Sequence, residues 1–221
     1  MKLGLGLIAG LLAISAAPVS LAAQQDIATR LAGRVPPDVA ALVQQLAADA
    51  AARGLPMDPL IQKAIEGSAK GVPAERVATA VRTVAGQLDA AAAALRDGGL
   101  VPTDTAAIAA GAFALNAGLN DRNLTDLTRA SRPPYSVATT LRVASTLAAM
   151  GVPAAQVVEL VTQVIAAGEP AESVVNLPAQ VQARVSHGQG MTPAQAAAGL
   201  ARAAAARANP PGQNKPKPPH P

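Results

Sequence analysis

The chain writes Gly-Val-Pro-Ala at residues 71–74 and again at 151–154. Few words restrict backbone geometry more tightly. Glycine tolerates the left-handed conformation that closes a helix, and the apolar residue after it can fold back on the last turn. Proline then has its φ preset for the first turn of a new helix, where its missing N–H costs nothing. Each corner therefore ends one helix and starts another within three residues. Gly54-Leu55-Pro56 repeats the device. Gly118-Leu119-Asn120-Asp121 replaces proline with polar caps, and Gly190-Met191-Thr192-Pro193 sets a Thr cap before it. Gly99-Leu100-Val101-Pro102, Gly168-Glu169-Pro170 and Pro133-Pro134 are looser breaks.

Between breaks the apolar period is helical. Val77, Val81, Val84, Leu88, Ala91, Ala92 and Leu95 fall on one stripe, as do Leu60, Ile61, Ala64 and Ile65. Superposing the two corners aligns Val77 with Val157, Val81 with Val161 and Val84 with Val164, a degenerate helix–turn–helix repeat. The pattern predicts helices over 38–53, 57–70, 73–96, 103–117, 121–131, 134–150, 154–167, about 173–186, and 193–208. No segment alternates with period two for long enough to form a strand. The expected fold is all-α: about eight or nine short helices in hairpins, as a compact bundle or a short α-solenoid.

Alanine makes up about a quarter of the chain, while Phe113 and Tyr135 are its whole aromatic content. Helices built from small side chains must approach closely to exclude water, and Gly67, Gly86 and Gly111 inside helices are candidates for such approaches. There is no cysteine, so neither disulfides nor thiolate chemistry contribute.

The ends differ from the body. Residues 1–22 read as a signal peptide: Lys2, an apolar run from Leu3 to Ile14, then small residues that suit cleavage after Ala22 or Ala23. The run is short for a membrane span, although an uncleaved anchor is the competing reading. Residues 24–208 form the expected helical domain. Residues 209–221 hold six prolines, which forbid helix and favour extended polyproline II, so a disordered basic tail is expected. From Arg184 onward the chain carries Arg and Lys but no acid, and Lys215 and Lys217 are candidates for contact with peptidoglycan or anionic lipid. A solubilising end is the plainer alternative.

Little in the sequence suggests catalysis. His187 and His220 are the only histidines, so no zinc set is expected. His187-Gly188-Gln189-Gly190 lacks the G-x-S-x-G elbow that would give it meaning in a hydrolase. Ser68 and Lys70 are about 200° apart around a helix and cannot form a dyad, whereas Lys63, Glu66 and Lys70 have the spacing of surface ion pairs. Glu66 and His187 are the best acid–base candidates for a cell-wall-active enzyme, though far apart in sequence. No cofactor motif is present, and the near absence of aromatics argues against nucleic acid. One polar, slightly basic cluster stands out as a face for an anionic partner: Arg122, Arg129 and Arg132 with Tyr135. The sequence therefore points to an exported bacterial protein, periplasmic or extracellular, serving as a non-catalytic structural or protein-interaction module of the cell envelope. The alternatives are envelope association through the basic tail and, behind that, an enzyme.

Overall fold

The computed structural model describes residues 21–101, 104–188 and 190–209. Among these residues the chain is all-helical, with eleven helices and no strand: α1 (Leu21–Leu31), α2 (Pro37–Ala52), α3 (Asp58–Ala69), α4 (Ala74–Asp97), α5 (Thr105–Asn116), α6 (Asp121–Ala130), α7 (Val137–Ala149), α8 (Ala154–Ala166), α9 (Ala171–Val175), α10 (Leu177–His187) and α11 (Pro193–Ala208). None of them is long and apolar enough to cross a membrane. Most of the signal-peptide reading and nearly all of the tail lie outside the described residues, Lys215 and Lys217 included. The peptide bonds read as cleavage sites, after Ala22 and Ala23, fall in the first turn of α1.

The corners form as their sequence dictates. Gly71 has φ +67° and Gly151 φ +91°. At the first, the Val72 N–H donates to Gly67 O at 3.0 Å and the Gly71 N–H to Ser68 O at 3.0 Å; at the second, Val152 donates to Leu147 O and Gly151 to Ala148 O. This pair of hydrogen bonds is the Schellman closure, and it recurs at Gly54, Gly99, Gly118 and Gly168. Polar caps close other starts: Asn120 and Asn123 form a reciprocal capping box, as do Thr192 and Gln195.

The two corners differ in one respect. Val152 is buried while Val72 is 36% exposed. The apolar residue after the glycine normally rests on the side chain three positions inside the helix end. For Val152 that residue is buried Leu147, but for Val72 it is Gly67, which offers nothing to rest on.

Three expectations need correction. A helix, α1, precedes the first expected one, held by buried Ile27 and Leu31 and by an Arg30–Asp58 ion pair at 2.7 Å. The expected helix over 173–186 is two, divided at Asn176, because Pro178 has no N–H with which to continue the ladder. Gly86 has open space where a Cβ would stand, so no neighbour explains it. Gly67 and Gly111 do mark close approaches. A Cβ on Gly67 would stand 2.9 Å from Val77 Cγ2, and one on Gly111 would stand 3.0 Å from Ala91 Cβ. Gly98 is a third, where α6 presses Thr128 against the end of α4.

Packing proceeds stepwise. Helices α1, α2 and α3 pack on one another, and α2 and α3 on α4; α4 packs on α5 and α6; α5 on α7; α6 on α7 and α8; and α7 and α8 on the last three helices. The core along this path is mostly Ala, Val and Leu, with fully buried Leu60, Leu88, Leu95, Leu124, Leu141 and Leu160 among its largest members. Small side chains at the contacts permit close approach of the helices, as at Gly67, Gly98 and Gly111.

Candidate interaction groove

Three helices each present a short stripe to one hollow of about 260 Å³. From α3 come Pro59, Gln62, Lys63 and Glu66, at helical spacings of three and four. From α4 come Val84 and Gln87, one turn apart. From α5 come Ala109, Ala112, Phe113 and Asn116, again at one-face spacing. Helix α4 makes the floor, and α3 and α5, both packed on it, make the walls. Gly67 and Gly111 lie beside these stripes, and their missing side chains let both walls sit tightly on α4.

The lining is an unusual mixture. Phe113, the only phenylalanine, is 52% exposed here. Gln62, Gln87 and Asn116 line the same hollow with carboxamides, which both donate and accept hydrogen bonds. Lys63 and Glu66 cancel in charge. The Lys70 ammonium donates a hydrogen bond to Glu66, and that bond, then the charge of Lys70 and then that of Lys63, hold the Glu66 carboxyl below the ordinary glutamate range. The shift moves Glu66 away from the near-neutral range that suits a general acid. No histidine or second carboxylate lines the hollow. The lining thus offers an aromatic ring, three neutral carboxamides and one residue of each charge.

The residues singled out by sequence are placed as follows. Glu66 is on α3, which packs against α1, α2 and α4, while exposed His187 ends α10, which packs against α7, α9 and α11, so the pair is not brought together. Arg122 and Arg129 share a shallow hollow with Asp97, Asp121 and Asp126, so the face read as slightly basic is lined by both signs of charge. Arg129 is also a capping group: its Nη2 donates to Asp97 O at 3.1 Å at the end of α4, and Thr125 Oγ1 adds a second donor, at 3.1 Å, to the Ala94 O that already accepts from the Gly98 N–H. Arg132 is exposed and lines a neighbouring hollow with Arg129. Half-buried Tyr135 belongs elsewhere. Its hydroxyl donates to the Glu169 carbonyl, and Arg207 pairs with the Glu169 carboxylate at 2.8 Å, tying the end of α11 to the α8–α9 corner.

Sequence reasoning missed Phe113 and the three carboxamides. The spacing of Gln62 to Glu66 and of Phe113 to Asn116 was available, but nothing local marks these as faces of one hollow. Among the described residues no group of three or more His, Asp or Glu lies close enough to hold a metal ion. No protein-family model, no curated protein and no solved structure matches the chain.

Proposed function

We propose that this is an exported interaction module of the cell envelope, built as an open array of helix pairs, which binds another protein through the groove between α3, α4 and α5. The observation that carries the reading is the groove itself: a half-exposed phenylalanine that shares one hollow with three carboxamides, on three tightly packed helices. Exposed aromatic anchors with adaptable polar neighbours are the composition of binding hot spots rather than of acid–base sites. The open-array part is supported by packing order, since α1, α2 and α3 find their partners among themselves and on α4, while α9, α10 and α11 find theirs among themselves and on α7 and α8. Export rests on the sequence of residues 1–22.

A photo-crosslinking amino acid at position 113, compared with one at exposed Arg82 elsewhere on α4, tests this in cells. A single protein captured from 113 but not from 82, and lost when Gln62 and Asn116 are both changed to alanine, is the expected result. Equal capture from both positions, or capture insensitive to the carboxamides, refutes the groove as the binding surface.

A further inference from the structure

We propose that the hollow where the ends of α4 and α6 meet the start of α7 is a binding site for a peptide carboxylate, held by the guanidinium groups of Arg129 and Arg132. The site is separate from the α3–α4–α5 groove and does not depend on that groove being a binding surface.

The hollow measures about 260 Å³, and among the described residues no carboxylate lines it. Two glycines leave it open. A Cβ on Gly98 would stand 2.6 Å from Thr128 Cβ, so its absence lets α6 close on α4, and Gly99 has empty space where a side chain would project. Most polar groups around it are already used. The N–H groups of Gly98, Gly99, Leu100, Ser131 and Arg132 donate to backbone carbonyls. The Thr128 and Ser131 hydroxyls donate to Leu124 O and Leu127 O, each at 2.7 Å. At the end of α4 the carbonyls of Ala94, Leu95, Arg96 and Asp97 all accept a hydrogen bond, so the negative end of that helix is answered without drawing on Arg132. Arg129 gives Nη2 to Asp97 O and keeps Nε and Nη1 unpartnered among the described residues. Arg132 is exposed, and its guanidinium has neither a hydrogen-bond nor an ion-pair partner among them. Asp97, Asp121 and Asp126 line the adjoining hollow, yet none of them forms an ion pair with either arginine. No Asp or Glu occurs outside the described residues, so no further side-chain carboxylate is available to either.

Two cationic forks on a lining without acids set the charge of the ligand. A carboxylate has two oxygens in one plane and takes paired hydrogen bonds from a guanidinium. A phosphate brings more oxygens and needs further donors, which the spent hydroxyls and N–H groups do not supply. The rest of the lining includes Leu100 and buried Val137, so a carboxylate on a short apolar stem covers that wall while its oxygens meet the arginines. Pockets that enclose a whole small molecule run to about 300–1,000 Å³. This smaller hollow therefore takes the end of a longer ligand. A peptide offers such a group in two ways: a C-terminal carboxylate beside a small side chain, or the side chain of a glutamate.

Titration of the isotope-labelled full chain, followed by amide NMR, tests this with four probes. Acetyl-Ala-Ala carries a C-terminal carboxylate, and acetyl-Ala-Glu amide carries only a side-chain one. Acetyl-Ala-Ala amide carries none, and inorganic phosphate is the fourth. The amide signals of Gly99 and Arg132 report occupancy. At least one acidic peptide is expected to bind about tenfold or more tightly than the uncharged amide, and the one that does identifies the source. Arg132→Gln is expected to weaken that binding about tenfold. Arg132→Lys, which keeps the charge and loses the fork, is expected to weaken it several-fold. Arg122→Gln, in the adjoining hollow, should leave it nearly unchanged. Arg132 has no intramolecular partner to lose, so both variants should keep the fold, with circular dichroism as the check. Equal affinity for acidic and uncharged peptides overturns the proposal. So does acid binding untouched by Arg132→Gln, or phosphate that shifts the same signals at lower concentration than either acid. Signals that stay fixed up to about 20 mM of both acidic peptides overturn it too. Capture from position 113 is untouched by any of these outcomes, so failure here and failure of the groove reading are read separately.

Discussion

Introducing a methyl group at Gly67 should destabilise the protein in one background and stabilise it in another. In the wild-type chain the new Cβ would stand 2.9 Å from Val77 Cγ2 and 3.3 Å from Cγ1, against 3.6 Å from Val77 Cβ. Comfortable carbon–carbon contact begins near about 3.5 Å, so both valine methyls are too close and only the Cβ is not. Val77 is 1% exposed and has little freedom to turn away. Overpacking of this kind costs about 1–3 kcal/mol. Replacing a helical glycine by alanine returns about 0.5–1 kcal/mol through lost backbone entropy of the unfolded chain. The net for Gly67→Ala is a loss of about 1 kcal/mol.

Val77→Ala alone should cost about 2 kcal/mol, for two buried methyls and the space they leave. It also removes both clashing atoms. In that background Gly67→Ala meets only a Cβ at ordinary contact, and its full helical gain of about 0.5–1 kcal/mol returns. The coupling between the two sites is then about 2 kcal/mol, well above the ~0.3–0.5 kcal/mol scatter of independent sites. Urea denaturation followed by circular dichroism at 222 nm, on the four chains of the cycle, measures it. Gly86→Ala is the control: it lies inside α4 with nothing near its would-be Cβ and should stabilise by about 0.8–1 kcal/mol. A Gly67→Ala substitution that stabilises the wild-type chain as Gly86→Ala does, with no coupling to Val77, would refute the claim that the glycine exists to admit α4.

Two other outcomes follow from the same coordinates. Gly151→Ala, at φ +91° and with open space around it, is expected to lose about 1–2 kcal/mol through backbone strain alone, read as a lower urea midpoint with unchanged slope. Glu66 is expected to titrate below the ordinary glutamate range by carboxyl NMR, and Lys70→Met should move it upward; because the folded value is the lower one, the small stability it lends is present above the unfolded value and lost as pH falls through the folded one.

What the sequence reveals here is what is encoded locally. A Schellman corner needs a glycine, an apolar residue after it and a carbonyl a turn back, all within six residues, so Gly54, Gly71, Gly118 and Gly151 could be read directly. The exposure of Val72 was equally readable, since Gly67 sits where its partner side chain would be. The helix α1 was obscured because only Ile27 and Leu31 anchor it, one turn apart, beside a stretch that reads as a leader. The break at Asn176 was marked by Leu177-Pro178 but outweighed by the helical period on either side.

The groove was hidden for a more general reason. In most helices the largest apolar residues point inward, and that rule makes faces legible. Helix α5 reverses it: Ala107, Ala110, Gly111 and Ala114 are buried together with Ile108, while Phe113 is turned out. Apolar residues surround the whole helix, so its period carries no direction. What chooses the buried face is closeness of approach, because only the alanine and glycine side lets α5 come within contact of Ala91 and Leu95 on α4. Many short-range dispersion contacts between closely packed backbones then outweigh the burial of one ring. Along α5 it is the small residues that define the face packed on α4, and the one large ring left outside is the place to look for binding.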